Sequence, residues 1–258
     1  MKKTLILGAL LLAAAVSAAE KVINLNKVDA WTPGKFLQAD GNVLTAKKSA
    51  IITGKEMVAL DDKHTYNFSG ELKQAPNCVA TSIFVGYQIL DKDKKVISMV
   101  MASSVKSSTT ELAKPVCKGD TKITIKANKM WTAKSHFFIG FDVKEGKLSR
   151  NNSKARTLNV EKAGDLMIVT LGKPIDQDFA AGIKVRIQNS GGYFYSGYTK
   201  TKADWVKFGK ELKKNQFWLE AAYVRPLILL NWSTPAKTPA SKIGTQFKNM
   251  KLTVKEIK

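Results

Sequence analysis

Apolar and polar residues alternate with a period of two in short runs along almost the whole chain, and turns rich in Gly, Asn, Asp or Lys separate the runs. Alternation of this kind sends every second side chain to one face of an extended strand, and few segments carry the 3.6-residue stripe of a helix. The chain is therefore read as all-β. Ile83, Val85, Tyr87 and Ile89 share one face of Thr81–Leu90, and Asp91-Lys92-Asp93-Lys94 turns that run into Val96–Met101 as a hairpin. Thr121–Lys126 turns Ile123 and Ile125 inward, and His136–Val143 and Leu166–Leu171 are apolar strands. Ile183–Gln188 is expected to pair with Tyr193–Ser196 through Asn189-Ser190-Gly191-Gly192. Trp205–Leu212, Tyr223–Leu230 and Phe247–Ile257 complete the set, with Pro226 placing its strand at an edge or a bulge.

About a dozen strands joined by loops of mixed length predict two antiparallel sheets packed as a sandwich, with the first and last strands near one another. At 258 residues the chain is long enough for a sizeable core. No linker divides it, so residues 20–258 are read as one domain with loop insertions. Polar Lys144–Ala163 reads as a loop or insertion, and Ser233–Ser241, with Pro235 and Pro239, as an exposed connection.

Residues 1–19 have the layout of a cleaved signal peptide: Lys2 and Lys3, the apolar run Leu5–Val16, and a small-residue end, Val16-Ser17-Ala18-Ala19. That run is short for a bilayer span. Export to the periplasm or beyond the cell is the expected fate, and it changes what the charge means. Lys and Arg total 42 against 21 Asp and Glu, a net +21 that the leader's two lysines only slightly inflate. Outside the cytoplasm, nucleic acid gives way to acidic polysaccharide or cell envelope as the candidate anion. Only Arg150, Arg156, Arg186 and Arg225 supply guanidinium forks, so the scattered lysines speak for general attraction more than specific recognition. In an exported chain, Cys78 and Cys117 are expected to form one disulfide. Closing a loop of that length would contribute about 4 kcal/mol in the chain-entropy estimate.

Stacking chemistry singles out aromatic residues. A pyranose presents a face of C–H groups that packs on an aromatic ring, and its hydroxyls need amide, carboxylate or guanidinium partners. Tyr193, Tyr195 and Tyr198 cluster beside Gly191-Gly192 with Arg186 just upstream, and Tyr193 and Tyr195 share a face of a regular strand. Trp131, Trp218 and Trp232 fall in loops or strand ends as candidate platforms, whereas Trp31 and Trp205 read as structural. Catalytic signals are sparse. His64 and His136 lie outside any metal-ligand spacing, no Gly-x-Ser-x-Gly elbow occurs, and Ser103-Ser104-Val105-Lys106 matches Ser-x-x-Lys as any lysine-rich chain can. Glu71, Glu111, Glu211 and Asp204 are the acids that would have to meet in a glycosidase pair.

Several phrases carry a resemblance. The Trp31 region, Asp61-Asp62-Lys63-His64-Thr65-Tyr66-Asn67-Phe68-Ser69-Gly70-Glu71-Leu72, Trp205-Val206-Lys207-Phe208, Tyr223–Leu230 and Phe247-Lys248-Asn249-Met250-Lys251-Leu252-Thr253-Val254 resemble, in that order, galactose-binding-like jelly-roll carbohydrate-binding modules of secreted bacterial proteins. Gly119–Ile125, Ala181–Arg186 and Gly191-Gly192-Tyr193 resemble related secreted domains. The resemblance implies non-catalytic binding of a polysaccharide, acidic polymers among the candidates, by a sheet face or edge loops. It implies no cofactor beyond a structural calcium, for which no ligands can be named because Asp91-x-Asp93 runs into lysines. One alternative is a cationic envelope-associated structural protein. Another is a jelly-roll polysaccharide lyase, since Tyr193-Phe194-Tyr195-Ser196-Gly197-Tyr198 resembles the Tyr-Phe-x-x-Gly-x-Tyr phrase of alginate lyases, with Tyr198 in the proton-transfer role. That family's Gln-x-His and Arg-x-Glu-x-Arg strands have no counterpart here.

Overall fold

The computed structural model describes residues 20–133 and 136–257. The expected signal peptide over 1–19 lies outside the described residues. Among the described residues the strands pair antiparallel, apart from an isolated parallel bridge between Val79 and Ile243, and form four sheets around two hydrophobic cores. The chain is an all-β, sandwich-type protein, as the alternation predicts.

The first core lies between a seven-stranded and a six-stranded sheet. In the seven-stranded sheet the order is Val206–Phe208, His64–Gln74, Thr245–Glu256, Val43–Ala46, Leu37–Asp40; Glu211–Lys213 also pairs with His64–Gln74. Glu20–Asn24 pairs with Lys251–Lys255, which brings the first and last strands together. The six-stranded sheet runs Phe194–Lys200, Ser82–Leu90, Tyr223–Leu230, Ala50–Gly54, Trp31–Thr32, with Val58–Ala59 beside Tyr223–Leu230. Tyr66, Phe68 and Leu72 from one sheet meet Ile83, Val85, Tyr87 and Ile89 from the other, all buried. Trp31 is buried with them, and its Nε1 donates to the Leu25 carbonyl at 2.9 Å. Burying this many aromatic and aliphatic side chains is the main source of stability, at roughly 25 cal/mol per Å² removed from water.

Between two neighbouring strands of the six-stranded sheet, Ser82–Leu90 and Phe194–Lys200, the chain leaves to build the second core. A three-stranded sheet (Lys122–Lys126, Leu166–Leu171, Thr157–Ala163) and a four-stranded one (Asn151–Asn152, Phe138–Phe141, Lys184–Gln188, Thr110–Glu111) enclose Ile123, Ile125, Trp131, Phe141, Val169 and Val185. Two residues of this excursion, Ile97 and Leu148, are buried in the first core instead.

Several local expectations need correction. Lys184–Gln188 pairs with Phe138–Phe141 and Thr110–Glu111, and Phe194–Lys200 pairs with Ser82–Leu90, so the expected hairpin does not form. Asn189–Gly192 is the crossing from one core to the other. Lys144–Ala163 contains the Thr157–Ala163 strand. Its polar composition reflects an outer strand with one neighbour, of which only Thr157 and Val160 are buried. The turn at Asp91 does reverse the chain, with Leu90 bridging Val96, but Met99–Ala102 then coils into one helical turn. Trp205–Leu212 is broken at Gly209 into two short strands. Pro226 sits in a central strand; its missing N–H falls where Val58–Ala59 has ended and Ala50–Gly54 has not begun, so no ladder bond is lost on that side.

Cys78 and Cys117 are free thiols, not a disulfide. Cys78 packs against Ala75 and Gly244 beside the first core, whereas Cys117 is exposed in a turn of the second, its N–H donating to Asp120. The excursion that created the second core separated them. No helix among the described residues is long and apolar enough to cross a membrane.

Candidate functional site

The site is assembled on the outer face of the six-stranded sheet. Because Ile83, Val85, Tyr87 and Ile89 enter the core, Ser82, Phe84, Gly86 and Gln88 face the other way. On the neighbouring strand Val224, Ile228 and Leu230 enter the core, which leaves Arg225, Leu227 and Leu229 opposite Gln88, Gly86 and Phe84. Phe194 turns inward against Phe217 and Trp218, so Tyr193 and Tyr195 share the outer face.

Strict alternation would send Tyr198 to the opposite face from Tyr195. A β-bulge prevents it. Tyr195 pairs with Gly86 and Gly197 with Val85, so Ser196 is an extra residue and Tyr198 falls opposite Phe84. Both phenol rings then flank the Phe84 ring, Tyr195 at 4.9 Å and Tyr198 at 4.7 Å between centroids. Tyr193 continues the row, 6.4 Å from Tyr195 and edge-on to it. Tyr195 is 37% exposed and Tyr198 60%. Gly86 permits the arrangement: a Cβ there would stand 2.0 Å from the Phe194 carbonyl oxygen and 2.8 Å from the Tyr195 Cα.

Polar groups bracket the row. At one end Tyr198 Oη and Ser82 Oγ are hydrogen-bonded at 3.2 Å, and Trp232, 56% exposed, donates its backbone N–H to the Ser82 carbonyl at 2.8 Å. At the other end Arg225 Nε and Nη2 both donate to Gln88 Oε1, at 2.8 and 2.5 Å. Burial pushes the Tyr195 phenol above its ordinary pKa, which keeps it neutral and able to donate a hydrogen bond. Beside Tyr193, where the Phe194–Lys200 strand begins, a cavity of about 310 Å³ opens between Gln88, Ile97, Ser98, Tyr193 and Trp218. A wider cleft of about 640 Å³ beside the seven-stranded sheet, lined by Gln38, Thr45, Lys47 and Gln246, has no aromatic wall.

Five of the seven residues singled out from the sequence belong to this region: Tyr193, Tyr195 and Tyr198 in the row, Trp218 in the adjoining cavity, and Trp232 next to Ser82. The other two do not. Trp131 is buried in the second core, its Nε1 donating to the Ser108 carbonyl at 2.8 Å. Arg186 lies in the four-stranded sheet opposite Gly140, where its Nη2 donates to the Lys147 carbonyl at 3.4 Å. Arg225 takes the place intended for Arg186. Phe84 and Gln88 went unremarked in the sequence, and Arg225 was noted only as one of four arginines, although alternation turns Phe84, Gln88 and Arg225 away from the core; an aromatic residue at an outward position was the available signal.

Elsewhere several ionisable groups are paired locally. His64 Nδ1 is 2.7 Å from Asp61 Oδ1, and His136 Nδ1 is 3.1 Å from the Thr157 carbonyl. Glu71 accepts from Asn249, and Glu111 from Lys126. Lys73 and Lys248 hold their ammonium groups 4.9 and 4.4 Å from the half-buried Trp205 ring. No group of three or more His, Cys, Asp or Glu side chains among the described residues is placed to hold a metal ion. In comparisons of the chain with family models, with curated proteins and with solved structures, nothing matches.

Proposed function

We propose that this chain is an exported, non-catalytic protein that binds polysaccharide along the aromatic row Tyr193–Tyr195–Phe84–Tyr198. The observation that carries the reading is the pair of exposed phenol rings, Tyr195 and Tyr198, held on one face by a bulge that has no other evident purpose. Rings fixed on paired strands are ordered before the ligand arrives, so little conformational entropy is lost on binding. The stretch from Tyr193 to Tyr198 extends about 15 Å at the usual strand rise. That length underlies more than one sugar ring, which favours a polymer. Arg225, Gln88 and Ser82 flank the row with polar groups for hydroxyls or a carboxylate. Binding without cleavage is supported by the surroundings of Tyr198, whose hydroxyl pairs with Ser82, while each histidine is engaged in another sheet or core.

Affinity electrophoresis against neutral and uronate polysaccharides, at low and high salt, tests the reading. The wild-type protein is expected to be retarded by at least one polymer and the Tyr195→Ala variant is not. Retardation that persists in high salt assigns the energy to stacking, because attraction through scattered lysines weakens steeply as salt rises. A variant that binds like wild type overturns the proposal.

A further inference from the structure

A row of polar side chains crosses the outer face of the seven-stranded sheet. Gln38 stands opposite Thr45, Thr45 opposite Gln246, and Gln246 opposite Lys73, so the row spans four neighbouring strands in register. The residues beside them in sequence, Leu37, Leu44, Ala46, Phe247 and Leu72, are buried in the first core, which turns the whole row outward. Lys73 ends it, with its ammonium 4.9 Å from the Trp205 ring.

Gln38, Thr45 and Gln246 also line the cleft of about 640 Å³, a volume ordinary for a ligand site, and Asp40 and Lys47 line it with them. Its wall is fixed by the backbone. The Ala75 N–H donates to the Gly244 carbonyl at 3.0 Å and the Val79 N–H to the Lys242 carbonyl at 2.8 Å, which ties the turn holding Pro76 and Cys78 to the segment holding Ser241. Among the described residues, the side chains of Gln38, Asp40, Thr45, Lys47 and Gln246 have no hydrogen-bond or ion-pair partner in the fold. Nearby on the same face such groups do pair: Asn249 donates to Glu71 at 2.8 Å, and Lys248 lies 3.5 Å from Glu71.

A glutamine amide and a threonine hydroxyl each both donate and accept, so their best complement is a set of groups that do the same, such as sugar hydroxyls. In a chain of net charge +21, this cleft carries one acid and one base, Asp40 and Lys47. A polyanion would meet the Asp40 carboxylate, and an apolar ligand would strip water from the amides with nothing in return. From Gln38 to Gln246 the floor crosses two strand spacings, roughly 10 Å, enough for about two sugar rings. We propose that the cleft is a second carbohydrate site, for an uncharged oligosaccharide held through its hydroxyls by Gln38, Thr45 and Gln246. It lies on the outer face of the other sheet from the tyrosines and does not depend on their binding anything. With both sites filled, one molecule would hold two glycan segments.

NMR titration of the full mature chain, following the side-chain amide signals of Gln38 and Gln246, tests the site. The probes are the β-1,4- and β-1,3-linked tetramers of glucose and the β-1,4-linked tetramers of mannose and xylose, with tetragalacturonate as the charged control. At least one neutral tetramer is expected to shift both amide signals, with the same affinity at low and high salt. Gln246→Leu and the isosteric Thr45→Val are each expected to weaken that binding by about five- to tenfold, with the melting midpoint nearly unchanged. Tyr195→Ala is expected to leave it as in wild type. Amide signals that stay still with every neutral tetramer overturn the site, as does binding that both cleft variants retain in full, or a response to tetragalacturonate alone. Binding lost in Tyr195→Ala while these amides stay silent overturns the cleft and sustains the row; the opposite pattern sustains the cleft and overturns the row.

Discussion

Tyr198 stands directly opposite Phe84 on the neighbouring strand, with 4.7 Å between ring centroids and 44° between ring planes. One inserted residue, Ser196, makes the contact. Without it Tyr198 would turn toward the core, where Ile83 and Val85 already fill the space. The bulge thus converts three residues of sequence separation, odd in a strand of period two, into a shared face.

If that face binds sugar, function and stability separate cleanly by residue. Tyr195→Ala and Tyr198→Ala are expected to lose most affinity in a binding titration, with the thermal midpoint nearly unchanged, since both rings are substantially exposed. Trp131→Ala is expected to do the reverse, lowering stability by about 3–5 kcal/mol in denaturant titration. Its ring is buried edge-on against Phe137 at 5.2 Å, far from any role in the row.

Gly86→Ala probes the close approach under the bulge. The added methyl collides with the Phe194 carbonyl and the Tyr195 backbone, neither of which is a flexible side-chain end. Overpacking of this kind costs about 1–3 kcal/mol. The variant should unfold at lower urea and also bind glycan more weakly, because the strand that carries the tyrosines must shift.

The thiols offer a direct check on the separation of the two cores. Two free groups per chain are expected when unreduced protein is unfolded and titrated with a thiol reagent, with Cys117 the faster to react in the folded protein because it is exposed. Finding none would mean that the cysteines are bridged and the two cores lie differently. Replacing both with serine should shift stability by less than about 1 kcal/mol, well short of the roughly 2–5 kcal/mol lost with a native disulfide.

Acid should loosen the junction between the cores. Arg150, from the excursion, pairs with Glu220 at 2.6 Å and approaches Asp91 at 3.6 Å, both from the first sandwich. The Lys95 backbone N–H holds the Asp91 carboxyl below its usual range, and the Arg150 hydrogen bond does the same for Glu220. Carboxylates with depressed folded-state pKa values stabilise the protein above their unfolded values, near 4, and that stability is lost as pH falls through the folded values. The melting midpoint should therefore drop as pH is lowered through about 4. Arg150→Gln should show a lower midpoint at neutral pH and a shallower drop in acid.

The sequence by itself determined the structural class and the inward face of the regular strands. Ile83, Val85, Tyr87 and Ile89, and likewise Ile123 and Ile125, are buried where the alternation puts them, and the strand limits Leu166–Leu171 are met to the residue. Tyr195, Tyr198 and Trp232, candidate platforms from the sequence, are exposed, but Trp131, singled out together with Trp232, is buried, so exposure of a ring was not fixed by its sequence neighbours. Tertiary structure alone decided which strands are neighbours. A period of two reports the side of a strand on which a residue lies, and carries nothing about the strand beside it. Hence Ile183–Gln188 and Tyr193–Ser196, adjacent in sequence, went to different sheets, and Arg186 went with the first while Arg225, some forty residues later, arrived beside the tyrosines. Parity was lost at Ser196 for the same reason: a bulge exists only relative to a partner strand. Cys78 and Cys117 stayed apart because the intervening strands closed a core of their own, and burial of that core against water outweighs a single bridge.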